Sequence, residues 1–494
     1  MSNYDKSMLI NGEWVAGLDG TRDVINPTTG TVLASVPEAS RQQALDAVAA
    51  ARAAQPAWAA LAPVERAAVM HGIAALIAEN ADELTRIVVQ EQGKPIAEAR
   101  GEIGGAAEFF RYFAEFARRI QGEILPSDAR DEQIWIQRVP VGVVAAIIPW
   151  NYPAALVSRK VAPSMIAGNA IVLKPHEETP LSALYMARLF EKAGVPAGVV
   201  NIVTGGGATV GEALTTHPDV DLVTMTGSVP TGKRILTAAA ANLTPLSLEL
   251  GGKAPFIVLD DCDMDLAVRS AVTSRYMNCG QVCICNERML VHERVYDQFM
   301  ERFVAASRGL TVGDPLSPST DLGPKVSQRE LEKVEAMIET AIGEGAEVLL
   351  KGGRPENPPT PGGYWMSPTV LAGVNPDMAI MQNEIFGPVV PVMKIGSFDE
   401  AVSIANKSRY GLSAYLFTND FSKIMRAVND VNFGEVYINR VGPEALQGFH
   451  TGYRNSGLGG DDGVHGLEAY LRKKTVYANY SGKSPVALVP GSKL

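Results

Sequence analysis

The runs Val143-Val144-Ala145-Ala146-Ile147-Ile148, Asn169-Ala170-Ile171-Val172-Leu173-Lys174, Val199-Val200-Asn201-Ile202-Val203 and Leu222-Val223-Thr224-Met225-Thr226 decide the fold. Each is short and apolar, and each gap between them is long enough for one helix. That alternation predicts βαβ units around a parallel sheet. A second series starts near Arg288, with MLVHERV, AEVLLKGG, PVVPVMKI, LSAYLFTN and EVYIN as strands and QRELEKVEAMIETAIGEG as an intervening helix. The chain therefore reads as two α/β layers. Upstream, Arg41 to Arg118 carries apolar residues at helical spacing and predicts packing helices. Between Leu125 and Val144, the alternation of Glu132, Ile134 and Ile136 breaks that spacing and predicts a hairpin-like excursion that serves assembly. The tail NYSGKSPVALVPGSKL reads as loosely ordered or strand-like.

The 494 residues suggest, at about 150 per domain, three domains or two large ones with an appendage. A composition of 46% hydrophobic and 20% charged residues is that of a globular chain with a sizeable core, which excludes disorder and fibres. The 44 Lys and Arg against 54 Asp and Glu leave a net charge of -10, which repels a polyphosphate backbone and argues against nucleic acid as a partner. The longest apolar run, Val141 to Trp150, falls short of the ~18 to 20 residues needed to cross a bilayer. The start MSNYDKSML lacks the apolar core of a signal peptide, so a soluble, unsecreted chain with no membrane partner is expected. Cys262, Cys279, Cys283 and Cys285 are too few for a disulfide framework and favour a reducing compartment, the cytoplasm. The terminal Ser492-Lys493-Leu494 matches the peroxisomal address tripeptide, the alternative location; a cloning scar or chance gives the same letters.

After the third run comes Gly205-Gly206-Gly207-Ala208-Thr209-Val210-Gly211, one residue longer than the dinucleotide fingerprint. A ligand-free glycine turn would look the same, but within a βαβ series the amide-rich start of a helix is a ready anion site. The next turn, Gly227-Ser228-Val229-Pro230-Thr231-Gly232-Lys233-Arg234, matches a phosphate loop except that Arg234 replaces the magnesium-binding Ser or Thr. An NTPase is thereby disfavoured, while pyrophosphate binding through the amides and the Ser228 hydroxyl remains. Lys174 and Glu177 lie where a Rossmann-type site holds ribose hydroxyls, and Glu177 would repel a 2'-phosphate, so NAD is expected ahead of NADP. On charge alone the two are a solvated surface pair, with His176 an exposed neighbour.

The most informative segment is Met277 to Arg288, MNCGQVCICNER. Its cysteines sit among Gly, Gln and Asn, and C-x3-C-x-C lacks a second ligand pair at zinc spacing, leaving only remote candidates such as His292, so no metal is expected. GQVC occurs together with LELGGKAP at Leu248 to Pro255, PWNYP at Pro149 to Pro153, MTGS at Met225 to Ser228, EIFGPV at Glu384 to Val389 and SGLGG at Ser456 to Gly460. In this combination the chain resembles the NAD(P)-dependent aldehyde dehydrogenase superfamily over nearly its whole length.

The resemblance implies a Rossmann-like dinucleotide-binding domain (residues 1–123 and 145–251, rejoined by 451–470), an α/β catalytic domain (252–450) and a small β oligomerisation element (124–144 and 471–494). It also implies a homo-oligomer, dimer or tetramer. Cys283 becomes the nucleophile, since covalent capture turns an aldehyde into a hydride donor. The Asn151 side-chain amide and the Cys283 N–H become oxyanion donors, and Glu249 the base that activates water on the thioester. Possession of Glu249 argues against an acylating relative that uses coenzyme A, and the presence of all three argues against a retired, non-enzymatic relative.

The cofactor's adenosine and pyrophosphate half falls, by the same resemblance, to Ile148, Trp150, Lys174, Glu177, Gly207, Gly211, Gly227 and Ser228. Glu384 takes the nicotinamide ribose and Phe386 packs near the ring. From the residues alone, Asn151 shapes a turn, Glu249 is a solvated carboxylate opposite a leucine face, Trp150 and Phe386 are core aromatics, and Glu384 is a surface acid.

Arg159 stands at a position that is aromatic in relatives handling apolar aldehydes, and a cation there suits hydroxyl or carboxylate groups. The stretch INRVGPEALQGFHTGYRNSGLGGDDGVHG resembles lactaldehyde and glycolaldehyde dehydrogenases, with Glu444 and His450 placed to bond a 2-hydroxyl. The expected substrate is a small hydroxyaldehyde; succinate semialdehyde or another ω-carboxyl semialdehyde is the alternative. A structural salt-bridge cluster at a domain seam would use the same three residues. Cys279 and Cys285 depart from the family pattern and suggest a resting disulfide or sulfenamide-type protection under oxidation.

Overall fold

The computed structural model describes residues 8–481; Ser492-Lys493-Leu494 and nearly all of the tail read above lie outside the described residues. The four deciding runs form the strands Val143–Ile147, Ala170–Lys174, Val200–Ile202 and Leu222–Thr226, and Leu246–Glu249 follows as a fifth. The first three lie side by side in chain order, whereas the fourth pairs with the opposite edge of the first and carries the fifth outside it. Strand order thus reverses between Val143–Ile147 and Leu222–Thr226, and in an open parallel sheet ligands bind beyond the carboxyl ends at such a reversal. Ile148, Trp150 and Gly227 directly follow those ends.

The strands read as continuous apolar runs because both faces are covered. Ala146, Ile171 and Leu173 pack in one core with the helices Pro63–Glu79, Ile96–Ala114, Pro153–Ala167 and Leu181–Lys192. Val143, Ala145 and Val172 point the other way, into a core shared with Arg41–Ala60. That helix starts cleanly because Ser40 and Gln43 satisfy each other's backbone N–H groups in a capping box. Antiparallel strands close the sheet, Met8–Ile10 with Glu13–Val15 on one side and Gly457–Leu458 on the other.

The second sheet runs in the order Glu347–Leu350, Thr369–Ala372, Val389–Ile395, Asn286–His292, Ala254–Val258, Ser413–Phe417, Glu435–Ile438. It is parallel except for its first strand. Two of these strands were not visible in the sequence. Ala254–Val258 contains Pro255, a residue that argues against an interior strand and here sits at a register shift; Thr369–Ala372 is only four residues long. The excursion forms a three-stranded sheet, in which Glu132–Pro140 pairs antiparallel with Glu123–Leu125 and with Leu471–Asn479.

Candidate active site

Cys283 is half-buried and follows a turn with an unusual backbone: Asn278, Cys279 and Gly280 have φ of 49°, 55° and 71°. Left-handed backbone costs a non-glycine residue about 1–2 kcal/mol, so the turn is held from outside. Glu98 Oε2 accepts from the Asn278 N–H (2.8 Å), and Asn278 Nδ2 donates to the Asn151 carbonyl (2.9 Å). The Gln281 side chain donates to the Asn278 carbonyl (2.9 Å) and accepts from the Val326 N–H (3.0 Å), while Arg275 Nη2 donates to the Gly280 carbonyl (3.0 Å). A Cβ at position 280 would meet the Gly387 carbonyl, and one at 252 the Cys283 carbonyl, so close backbone approach requires both glycines.

Asn151 is brought to the same place by the strand end at Ile147 and the helix Pro153–Ala167. It is buried, and its Nδ2 donates to the Gln281 carbonyl at 3.1 Å, two residues from Cys283. Its own carbonyl accepts from Lys94 Nζ at 2.8 Å as well as from Asn278. Lys94 pairs with Glu102 (2.5 Å), whose other oxygen accepts from the Ala154 and Ala155 N–H groups (2.9 and 3.2 Å) at the helix start. A buried ion pair thus fixes both ends of the turn that carries Asn151.

Glu249 overturns the solvated reading: it is 2% exposed, because the parallel sheet is covered on both faces. Neither carboxylate oxygen has a hydrogen-bond partner, and burial pushes the carboxyl well above the ordinary range. His450 stands beside it, with Nε2 3.6 Å from Oε2. The His450 ring also bears electrostatically on the Cys283 thiol, so one imidazole acts on both groups that spacing alone could not relate. On its other side, Nδ1 lies 3.1 Å from Glu435 Oε1 and 3.9 Å from Glu444 Oε1. Burial disfavours a charged ring, but Glu444 and Glu435 outweigh it and hold His450 well above the usual imidazole range. Burial pushes the Cys283 thiol up and His450 pulls it back.

Arg159, from the helix Pro153–Ala167, donates through Nη2 to Glu444 Oε1 at 2.5 Å and through Nε to Asp462 Oδ1 at 2.9 Å, with a second bond from Nη2 to Asp462 Oδ2. The expected trio Arg159, Glu444 and His450 is therefore together, and it is a salt-bridge cluster as well as a lining of the site. Cys279 and Cys285 are buried free thiols pushed up to about 11 and about 12, hence not ionised near neutrality. Among the described residues, no group of three or more His, Cys, Asp or Glu is placed to hold a metal.

The residues assigned to a dinucleotide line the carboxyl edge of the first sheet. Lys174 is 3% exposed, against the solvated-pair reading, and its Nζ donates to Glu177 Oε1 at 3.1 Å; His176 is half-buried rather than exposed. An ammonium beside a carboxylate suits ribose hydroxyls as donor and acceptor. Gly207 has nothing within 4 Å of where a Cβ would sit, which leaves its backbone open to a ligand, while Gly211 is buried against Ile147 and Lys174. Ser228 stands at the N-cap position of Val229–Ala239 on an extended backbone without a side-chain capping bond, its hydroxyl 3.0 Å from Thr231 Oγ1, and Thr226 Oγ1 is buried and unpartnered. These donors fit a nicotinamide dinucleotide.

At the other end, Trp150 meets Phe386 edge-on with centroids 5.3 Å apart. Phe386, at φ 57°, is held because Glu287 accepts from the Ile385 and Phe386 N–H groups (2.8 and 3.1 Å). Glu384 is half-buried rather than a surface acid; it accepts from the Gly252 N–H at 2.8 Å, and burial pushes it up to about 7.

Residues 14–476 match the aldehyde dehydrogenase family, and with this fold and site the chain belongs to that family: it is an oxidoreductase acting on aldehydes. It is 49% identical over 462 residues to 3,6-anhydro-alpha-L-galactose dehydrogenase of Streptomyces coelicolor, covering 94% of each chain. To lactaldehyde dehydrogenase of Escherichia coli it is 43% identical over 472 residues, covering 95% of this chain and 98% of the other. A solved 3,6-anhydro-L-galactose dehydrogenase in complex with NADP matches it with a TM-score of 0.94 at 46% identity, over 96% of this chain and 100% of that one.

Proposed function

We propose that the protein oxidises a small hydroxyaldehyde, of the lactaldehyde or glycolaldehyde type, to its carboxylic acid with NAD. The observation that carries the substrate class is the state of Arg159. Its guanidinium is already bonded to Glu444 and Asp462 and so is not free to bind an ω-carboxylate, and a semialdehyde would bring a further negative charge to a site that holds Glu435 as well. A hydroxyl, which both donates and accepts, suits Glu444 and His450. Similarity to anhydrogalactose and lactaldehyde dehydrogenases supports the same class.

In this reading the Cys283 sulfur bonds to the carbonyl carbon, and the oxyanion accepts hydrogen bonds from Asn151 Nδ2 and the Cys283 N–H. Bound NAD supplies the hydride acceptor. Glu249, buried and without a hydrogen-bond partner, takes a proton from the water that cleaves the thioester. Lys174 and Glu177 hold the adenosine ribose, and Glu177 favours NAD over NADP. The proposal includes a cytoplasmic homo-oligomer, dimer or tetramer, assembled through the three-stranded sheet, where Ile124 and Tyr477 leave large apolar surfaces exposed.

A panel of glycolaldehyde, lactaldehyde, succinate semialdehyde and propanal, each with NAD and with NADP, tests it. The hydroxyaldehydes with NAD should give the highest kcat/KM; preference for succinate semialdehyde would overturn the substrate class.

A further inference from the structure

Asp462 is held where few side chains go: its φ of 65° and ψ of 166° lie in a region that glycine alone adopts readily, and such a conformation persists only where the surroundings enforce it. Its side chain supplies the enforcement. The carboxylate takes two donors of Arg159, Nε at Oδ1 (2.9 Å) and Nη2 at Oδ2. Such a fork fixes the orientation of the guanidinium as well as its place. The preceding residue does likewise, since Asp461 Oδ2 accepts from Lys160 Nζ at 2.6 Å, so two consecutive acids cross-link two consecutive cations of the helix Pro153–Ala167. Exposure separates the partners of Arg159. The Arg159 and Glu444 side chains keep 10% and 19% of their surface, whereas that of Asp462 keeps 0%. A substrate can therefore meet Arg159 and Glu444, while Asp462 stands behind them. Glu444 Oε1, 2.5 Å from Arg159 Nη2, lies 3.9 Å from His450 Nδ1, and His450 Nε2 lies 3.6 Å from Glu249, which puts the guanidinium beside the reacting groups.

We propose that Asp462 is a specificity-determining residue: without touching the substrate, it sets through Arg159 which aldehydes the site accepts. Both of its oxygens accept from the guanidinium, so it brings a full negative charge. Arg159 is thus shared by two acids, and the three groups together are more negative than positive. An aldehyde that carries an ω-carboxylate meets repulsion there and finds Nε and Nη2 already occupied, and this discriminates against it. A neutral hydroxyaldehyde brings no charge and needs only a donor and an acceptor. With Asp462 neutral, Arg159 and Glu444 would balance, and the guanidinium would regain donors for a substrate carboxylate. The bond from Lys160 to Asp461 and the bridge between His450 and Asp461 would still hold the segment in place.

The inference rests on Arg159 and Glu444 lining the substrate site of a hydroxyaldehyde dehydrogenase, and its test separates the two. The wild type and Asp462→Asn are compared by kcat/KM with NAD for glycolaldehyde, propanal and succinate semialdehyde. The ratio of succinate semialdehyde to propanal should rise by about tenfold or more, the effect of one hydrogen bond between charged groups. Taking propanal as the reference cancels any general loss of activity that a merely structural role would cause. The gain should disappear in Asp462→Asn combined with Arg159→Gln, which removes the freed cation. Glu444→Gln withdraws the other acid from Arg159; it should raise the same ratio and serves if Asp462→Asn fails to fold. An unchanged ratio in both single variants overturns the proposal, as does a gain that survives the loss of Arg159. If the wild type prefers glycolaldehyde to succinate semialdehyde, either result removes this inference alone. A wild type that prefers succinate semialdehyde overturns the substrate reading and the proposal with it.

Discussion

Replacing Lys94 by Met tests how Asn151, the proposed oxyanion donor, is positioned. Lys94 is buried; its Nζ lies 2.5 Å from Glu102, 2.8 Å from the Asn151 carbonyl and 3.6 Å from the Tyr152 ring centroid. Met keeps most of the stem volume and removes the charge, leaving the Glu102 carboxylate buried with only the Ala154 and Ala155 N–H groups. Removing one partner of a buried pair costs about 3–5 kcal/mol. Adding Glu102→Gln removes the orphaned charge while its side-chain oxygen still accepts from the helix start, so most of that loss should return. Activity should not return with it: the Asn151 carbonyl has lost one of its two donors, and misplacing a reacting group by about 1 Å costs on the order of 10²-fold in rate. Urea unfolding measured beside kcat, for the wild type, the single and the double variant, separates the two effects. Recovery of both stability and kcat in the double variant would refute the positioning role.

Cys283→Ala should abolish oxidation while cofactor binding, followed by fluorescence titration, persists. Glu249→Gln should release about one equivalent of NADH in a burst and then stall; a full-speed steady state would remove Glu249 from the water-activating role. Because burial holds the Glu249 carboxyl well above its usual range, thioester hydrolysis should accelerate as pH rises through that elevated value, and the rising limb should vanish in the Gln variant. Glu177→Ala should raise kcat/KM with NADP relative to NAD. Burial opposes ionisation of Glu287, but Lys253 and Arg275 outweigh it and hold the carboxyl at about 2. This depressed value contributes stability that is present above the ordinary value of 4.5 and lost as pH falls toward about 2; acid unfolding of Glu287→Gln should lack that loss.

The parallel sheet and its helices were legible because each strand is a compact apolar run between turn residues. Local patterning misled where burial depends on partners. Alternation in Leu246 to Leu250 assigned Glu249 to solvent, but a sheet covered on both faces has no wet side. Charge spacing likewise assigned Lys174 to the surface, although the crevice encloses it. The supporting residues left no local signal: Asp462 meets Arg159 across 303 positions, Lys94 meets Asn151 across 57, and Glu435 meets His450 from a strand whose text differs little from its neighbours. Such pairs are set by the folded path of the chain, and even the motifs that mark Cys283 and Asn151 do not include them.

The bridge between His450 and Asp461 and the strand Gly457–Leu458 come long after Leu246–Glu249 in the chain, yet Gly457–Leu458 closes the first sheet beside Glu249. During synthesis, the edge of Leu246–Glu249 must wait, uncapped, until the ribosome has passed this segment. Glu249 and Cys283 therefore meet His450 only after the chain has been made through this segment, so a product stopped short of it carries both without their common neighbour.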